Sequence, residues 1–225
     1  KNEGRNDLSV GAWQVQAMKA ASIANVGNPR LEEYKQKGMD GLLAGSVKRS
    51  AGNLNFVYRQ TVGQRVGGMQ RVVSAAGTLC LFLTGRGDSG EAKDAIGFLE
   101  SFLEEPHLPE WGADVPAVSH GGVINAWYYA VQAFFQDNPD GGNFKKYMAS
   151  MTKALVQNQA ADGHWLCFTE KGANQGKTYN TTLGALGLMV FYRYLPTTQA
   201  DNIRSPAAPQ RPAVNESEDE IGFEI

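Results

Sequence analysis

Residues 127–136 read Trp127-Tyr128-Tyr129-Ala130-Val131-Gln132-Ala133-Phe134-Phe135-Gln136, inside a helix-length stretch (120–136) that is apolar on nearly every side. A helix sheathed in apolar side chains has to be buried all round. Two further stretches share this character. One is 69–84, around Ser74-Ala75-Ala76-Gly77-Thr78-Leu79-Cys80-Leu81-Phe82-Leu83, and the other is 178–195. Between them run segments with one apolar face, at helical spacing. Residues 31–48 carry Leu31, Tyr34, Leu42, Leu43 and Val47, and 91–103 carry Ala95, Ile96, Leu99, Phe102 and Leu103. Residues 144–159 carry Tyr147, Met148, Met151 and Leu155. The series opens with 8–26, whose apolar face is Val10, Trp13, Ala17, Met18 and Ala21. Asn6 or Asp7 can cap its start, and Gly27-Asn28-Pro29 can end it.

The reading that follows is an all-α fold in which buried inner helices alternate with amphipathic outer ones. Trp13, Ala76, Tyr128 and Thr181 hold comparable places in the inner helices, 63, 52 and 53 residues apart. That is an internal repeat of helical hairpins of about fifty residues. Repeated about an axis, such hairpins give an open solenoid or a closed α/α ring.

Composition narrows the function classes. The chain has 225 residues, 21 Lys plus Arg against 23 Asp plus Glu, and a net charge of −2. It carries neither the basic footprint of a nucleic-acid binder nor a polybasic membrane patch. No apolar run reaches the ~18 residues needed to span a bilayer. Two cysteines, Cys80 and Cys167, exclude a disulfide framework and a four-cysteine zinc site. The stretch from Pro196 to Ile225 holds four prolines, six acids and two bases. Residues 1–196 therefore read as one repeat domain and 197–225 as a Pro-rich acidic tail with no core of its own. Its last residues, Ile221-Gly222-Phe223-Glu224-Ile225, alternate in a way that suits an edge strand. The chain starts at Lys1 without a secretory h-region, so it reads as a processed protein or part of a longer one. Cytoplasm and periplasm both remain open.

The turns between outer and inner helices carry the sharpest signal. Gln159-Ala160-Ala161-Asp162-Gly163-His164-Trp165 places a Gln, a Gly and a Trp at fixed offsets. Gly163 permits a left-handed turn after the outer helix. Trp165 can fold back over the helix end, and the Gln159 amide can satisfy orphan carbonyls there. A cruder copy, Arg49-Ser50-Ala51-Gly52-Asn53-Leu54-Asn55-Phe56, ends the first hairpin.

Gln159-x-x-x-Gly163-x-Trp165 resembles the QW repeat of squalene–hopene cyclases and of prenyltransferase/squalene-oxidase-repeat proteins. Asp7 to Lys19 around Trp13-Gln14, Trp127 to Gln136, and Tyr179 to Pro196 look like the same superfamily, and in particular its bacterial squalene cyclase-like members. The likeness covers most of the chain. It implies an α/α toroid, partial or completed, with inner helices around a central cavity. Departures from the family pattern bear on activity. The chain lacks the Asp-x-Asp-Asp motif with which the cyclases protonate an alkene. Cys80 has no Asp close before it to suggest the zinc set of protein prenyltransferases, and neither cysteine sits in a thioester loop.

The resulting expectation is a non-catalytic binding or scaffold module without a cofactor, holding an apolar, isoprenoid-like molecule or a protein partner. The alternative is a terpenoid- or polyprenyl-processing enzyme whose acidic motif lies outside this chain. A carbohydrate-active α/α barrel would need paired carboxylates, and the buried helices offer none. Seven helices are fewer than a full toroid's dozen, which implies a homodimer or a missing N-terminal half. The candidate cavity residues are Trp13, Gln14, Trp127, Tyr128, Gln132 and Tyr179. Such aromatics either line a pocket or pack helix on helix, the commoner role. Gln14, Gln16, Gln132 and Gln136 are amides on apolar helices, satisfied by neighbouring helix ends or facing a wet cavity. His107, Glu110 and His120 fit no metal-site spacing. Arg86-Gly87-Asp88 reads as a plain turn, and the sequons at Asn180 and Asn215 matter only in a glycosylating pathway.

Overall fold

The computed structural model describes residues 6–50, 53–61, 64–66, 70–104, 123–166 and 176–191. These are mostly helical, with seven helices among them: α1 (Leu8–Ile23), α2 (Leu31–Ser46), α3 (Gln70–Leu83), α4 (Gly90–Glu104), α5 (Val123–Asp137), α6 (Gly142–Gln157) and α7 (Lys177–Phe191). Each falls on a segment whose apolar spacing predicts it. The odd-numbered helices pack in series, α1 on α3, α3 on α5 and α5 on α7. The even-numbered ones lie against them, with α2 on α1, α4 on α3 and α6 on α5.

Burial follows the sequence pattern at the centre of the row. In α3, Val72 to Leu81 are all buried, and in α5 only Asn125 interrupts the buried run from Ile124 to Phe135. The outer helices bury one stripe each. In α4 it is Ala92, Ala95, Ile96 and Leu99; in α6 it is Phe144, Tyr147, Met148, Met151 and Leu155. Spacings of three and four put these on one helical face.

The ends of the row differ from expectation. The apolar face anticipated for α1 is largely its exposed one. Val10 and Trp13 are 54% and 48% exposed, while Leu8, Ala12 and Val15 are buried. The helix is apolar on two sides, so periodicity alone does not decide which side packs. In α7, Leu183 and Val190 are buried, but Thr178, Tyr179, Thr182 and Ala185 are exposed.

Helix ends are closed by backbone geometry. Asp7 caps α1, its carboxylate accepting from the Ser9 and Val10 amides at 3.0 and 3.4 Å. Asp7→Ala is expected to destabilise the fold by about 1 kcal/mol in urea denaturation. The helix stops at Ile23, before the Gly27-Asn28-Pro29 expected to end it. Asn25 takes the left-handed conformation (φ 53°). Its amide donates to the Ser22 carbonyl, and the Val26 amide to that of Ala21. The end of α3 repeats this arrangement at Gly85, φ 76°. The Gly85 amide donates to the Phe82 carbonyl and the Arg86 amide to that of Leu81. Both are Schellman closures.

A second difference lies between α2 and α3, where residues 49–56 are expected to form a helix-ending turn. The described residues there form strands, β2 (Val47–Ser50), β3 (Asn53–Phe56), β4 (Arg59–Thr61) and β5 (Gln64–Val66), and a two-residue strand, β1 (Asn6–Asp7), precedes α1. β2 and β3 pair antiparallel, Val47 opposite Phe56 and Ser50 opposite Asn53. β4 pairs with β1 and β5 in a three-stranded sheet. The turn copy at 49–56 is therefore a hairpin rather than a helix stop. β3 lies on α3 and α4, and Phe56, fully buried, sits on Gly77 of α3. The Phe56 amide donates to Ser74 Oγ at 3.1 Å. No described helix is long and apolar enough to cross a membrane.

The expectations for His107, Glu110, His120, Cys167, Asn215 and the strand-like Ile221 to Ile225 lie outside the described residues.

Candidate functional site

The most distinctive cluster of side chains spans α1, α5 and α7. Trp13 stacks on Tyr128, ring centroids 6.0 Å apart and planes 21° apart. It meets Tyr129 edge-on at 6.0 Å and 64°. Tyr128 and Tyr129 are themselves 5.1 Å apart and tilted by 58°. Such offset and edge contacts suit the ring quadrupoles. One turn earlier on the same face of α5, Asn125 donates its amide to the Tyr179 hydroxyl of α7. The cluster therefore forms a strip from α1 across α5 to α7, passing over α3, which lies between α1 and α5 in the row. Its base is closed and its ends are open. Tyr128 and Tyr129 are buried, while Trp13 is 48% and Tyr179 36% exposed.

The strip is anchored from below by a polar link. Gln16 donates to the Ala12 carbonyl at 3.3 Å, and its Oε1 accepts from the Tyr128 hydroxyl at 3.3 Å. Burial raises both phenols above the ordinary tyrosine range, Tyr129 the further of the two. Both stay neutral at physiological pH and can donate hydrogen bonds.

The sequence candidates separate into distinct places. Trp13, Tyr128 and Tyr179 belong to the strip. Gln14 is exposed beside Trp13. Trp127 is buried in the common core. Gln132 is fully buried and donates to the Tyr128 carbonyl at 3.0 Å, so it adds no surface to the strip. Tyr129, one of the aromatics expected either to line a pocket or to pack helix on helix, joins the site as well. Asn125, the one half-exposed residue of the α5 run, joins it with no sequence signal beyond its polarity.

Gln159, Gly163 and Trp165 form a structural closure. Gly163 is left-handed at φ 87°. The Trp165 indole N–H donates to the Leu155 carbonyl at 2.7 Å, capping α6, and its backbone amide donates to Thr181 Oγ1 of α7 at 3.1 Å. Gln159 donates to the Gly163 carbonyl at 2.9 Å, holding the loop rather than the helix end. His164 pairs with Asp162 at the exposed rim, and the contact lowers the Asp162 carboxyl below its usual range.

Titratable groups elsewhere have structural explanations. A half-open cleft of about 350 Å³ lies at the ends of α1 and α3 and is lined in part by Lys19, Glu32, Lys35 and Thr84. Lys35 pairs with Glu32 at 2.6 Å. Two helix C-termini meet here, and their partial negative charge favours cations. Arg86 of the Arg-Gly-Asp turn binds Asp40 at 2.7 Å and the Gln36 side chain at 3.0 Å. Asn180, first residue of a sequon, is buried in α7. Partial burial, then the nearby Glu100, raises the Asp137 carboxyl. No group of three His, Cys, Asp or Glu converges among the described residues.

Cys80 is fully buried, and burial pushes its thiol up to about 12. Burial also raises Tyr128, Tyr129 and Tyr147. These groups ionise in the unfolded chain first, so their effect on stability is nil at neutral pH. Above the unfolded thiol value of roughly 8.5 the native state loses ground, progressively up to about 12 for Cys80. Unfolding free energy is expected to drop by about 2 kcal/mol or more between about pH 8 and about pH 10.5. A flat profile over that range would contradict the burial of these groups.

Comparison of the sequence with protein-family models and with curated proteins finds no match in either.

Proposed function

We propose that the protein is a non-catalytic binding or scaffold module that holds an apolar molecule or a protein partner on the strip formed by Trp13, Tyr128, Tyr129 and Tyr179. The observation that carries this reading is Trp13. Its ring is ordered against two tyrosines of another helix, yet 48% of the residue stays exposed. A tryptophan serving only as core would be covered, and preorganised aromatic surface is what binding sites use. The odd-numbered row, the helical repeat and the QW-like closure at Gln159-Gly163-Trp165 support a partial α/α toroid of the squalene cyclase-like kind. In that arrangement the strip faces the ring's interior, and the uncovered faces of α1 and α7 are where a second copy or further hairpins continue the row.

The test is titration of the full chain with 8-anilinonaphthalene-1-sulfonate, a reporter of accessible apolar surface. Saturable binding is expected, weakened tenfold or more by Trp13→Ala. Absent binding, or binding indifferent to Trp13→Ala and to Tyr179→Ala, removes the reading. Thermal unfolding of the variants beside the parent separates loss of site from loss of fold.

A further inference from the structure

We propose that the cleft at the ends of α1 and α3 binds a small molecule with one carboxylate and a short apolar body, and that the ligand's carboxylate takes the place held by that of Glu32. The cleft measures about 350 Å³, within the range of small-molecule sites. Lys19 of α1 and Lys35 of α2 both line it, and they are only 9% and 6% exposed. Lysine is among the side chains least often buried, because its long stem normally carries the ammonium out to water. Two buried lysines on one cleft concentrate positive charge there.

Glu32 shows what these cations hold. It lines the cleft from the solvent side, its side chain 61% exposed where that of Lys35 is 7%. Its carboxylate reaches Lys35 Nζ at 2.6 Å and accepts from the Gln36 amide at 2.9 Å. The Gln36 hydrogen bond, then Lys35 and at longer range Lys19, hold its carboxyl below the usual range. An ion pair to an exposed glutamate contributes little, since the side chain gives up rotamer freedom to make it. A ligand carboxylate that also brings apolar contact displaces it.

The carbonyls at the two helix ends have donors from the backbone and from Gln36. In α1 the Ala20, Ala21 and Ser22 carbonyls accept from the Ala24, Val26 and Asn25 amides. In α3 the Leu81 and Phe82 carbonyls accept from the Arg86 and Gly85 amides, and the Thr84 carbonyl accepts from the Gln36 side chain at 2.7 Å. Capping these ends is therefore not a task that requires two buried lysines. Each ammonium carries three N–H donors, so one partner does not exhaust it. The hydroxyls of the cleft add acceptors rather than donors. Ser22 Oγ donates to the Met18 carbonyl at 3.0 Å, and Thr84 Oγ1 to that of Cys80 at 2.8 Å. With the ammonium groups as the donors among the described lining side chains, the cleft suits one carboxylate better than a dianion. Ile23 and Leu83 supply the apolar contact beside them.

The experiment uses the full chain carrying lysine labelled with ¹³C at Cε. The Lys19 and Lys35 resonances are identified by their loss in Lys19→Arg and Lys35→Arg. Butyrate is expected to move both saturably, and butyramide, its neutral counterpart, to move neither. Glu32→Gln tightens butyrate threefold or more, because the competing carboxylate is gone. Glu33→Gln removes the same charge from a neighbour paired with Arg30 and Lys37 instead, and leaves the affinity unchanged. Lys35→Met keeps the buried stem and weakens butyrate tenfold or more, with thermal unfolding of each variant run beside the parent. If Lys35→Met fails to fold, the pair Glu32→Gln and Glu33→Gln still decides. Lysine resonances that drift linearly or stay still, in the parent and in Glu32→Gln alike, overturn the inference, as does equal binding of butyramide. Equal tightening by Glu32→Gln and Glu33→Gln reduces the effect to net charge and overturns the place assigned to Glu32. Inorganic phosphate that binds more tightly than butyrate overturns the carboxylate class. The cleft and the aromatic strip share no residue, so none of these outcomes bears on the reading of the strip.

Discussion

Trp165→Ala is expected to destabilise the protein by about 3–5 kcal/mol, read as a lower urea midpoint at unchanged slope. Trp165 is 6% exposed and joins three parts of the fold. Its indole N–H satisfies the Leu155 carbonyl at the end of α6, and its backbone amide reaches Thr181 of α7. Its ring packs under Gly184, where an added Cβ would stand 3.2 Å from the indole. Removing the ring leaves a cavity between α6 and α7 and leaves the Leu155 carbonyl with only the Asn158 amide, at 3.2 Å, among the donors described for it. Trp165→Phe keeps most of the volume and loses the hydrogen bond, so about 1–2 kcal/mol is expected. A loss under about 1 kcal/mol for the alanine variant would mean that the loop is a surface ornament.

The second large effect is at the contact between β3 and α3. Phe56 is fully buried, and a Cβ built on Gly77 would stand 2.5–2.6 Å from three of its ring atoms. Phe56→Ala is expected to cost about 3–5 kcal/mol through the cavity it leaves. Gly77→Ala fails for the opposite reason, by overpacking, at about 1–3 kcal/mol. The two changes act on one space, so the double variant should be more stable than the sum of the single losses predicts. A double-mutant cycle that shows simple additivity contradicts the contact.

These two positions also show how far the sequence reaches. The Trp165 loop was legible because Gln159, Gly163 and Trp165 stand at fixed offsets after an amphipathic helix, and each residue type has a local task. The role of Gln159 was misassigned, since its amide turns to its own loop. Phe56 was read as the aromatic of a second helix stop. Its partner, Gly77, lies in a helix twenty-one residues later, and no local pattern announces that packing. The alternation Asn53-Leu54-Asn55-Phe56 is a strand signal that the surrounding helical period masked.

The helices were legible for a general reason: apolar stripes at spacings of three and four have few other uses. Direction was not legible where both sides of a helix are apolar. α1 buries Leu8, Ala12 and Val15 and leaves Val10 and Trp13 outward, a choice fixed by α2 and α3 rather than by its own sequence. The same ambiguity hid the site. Trp13, Tyr128 and Tyr179 were candidates because they are aromatic on inner helices. That Trp13 stacks on Tyr128 while Trp127 and Gln132 turn into the core depends on helix rotation, which the composition of an all-apolar helix does not encode.

The central claim is that the Trp13 face is a binding surface. Its most direct test is the ¹⁹F spectrum of the fluorotryptophan-labelled chain during titration with 8-anilinonaphthalene-1-sulfonate. The Trp13 resonance is expected to move saturably while those of Trp127 and Trp165 hold still. Dye binding that shifts Trp127 or Trp165 and leaves Trp13 unmoved would contradict it.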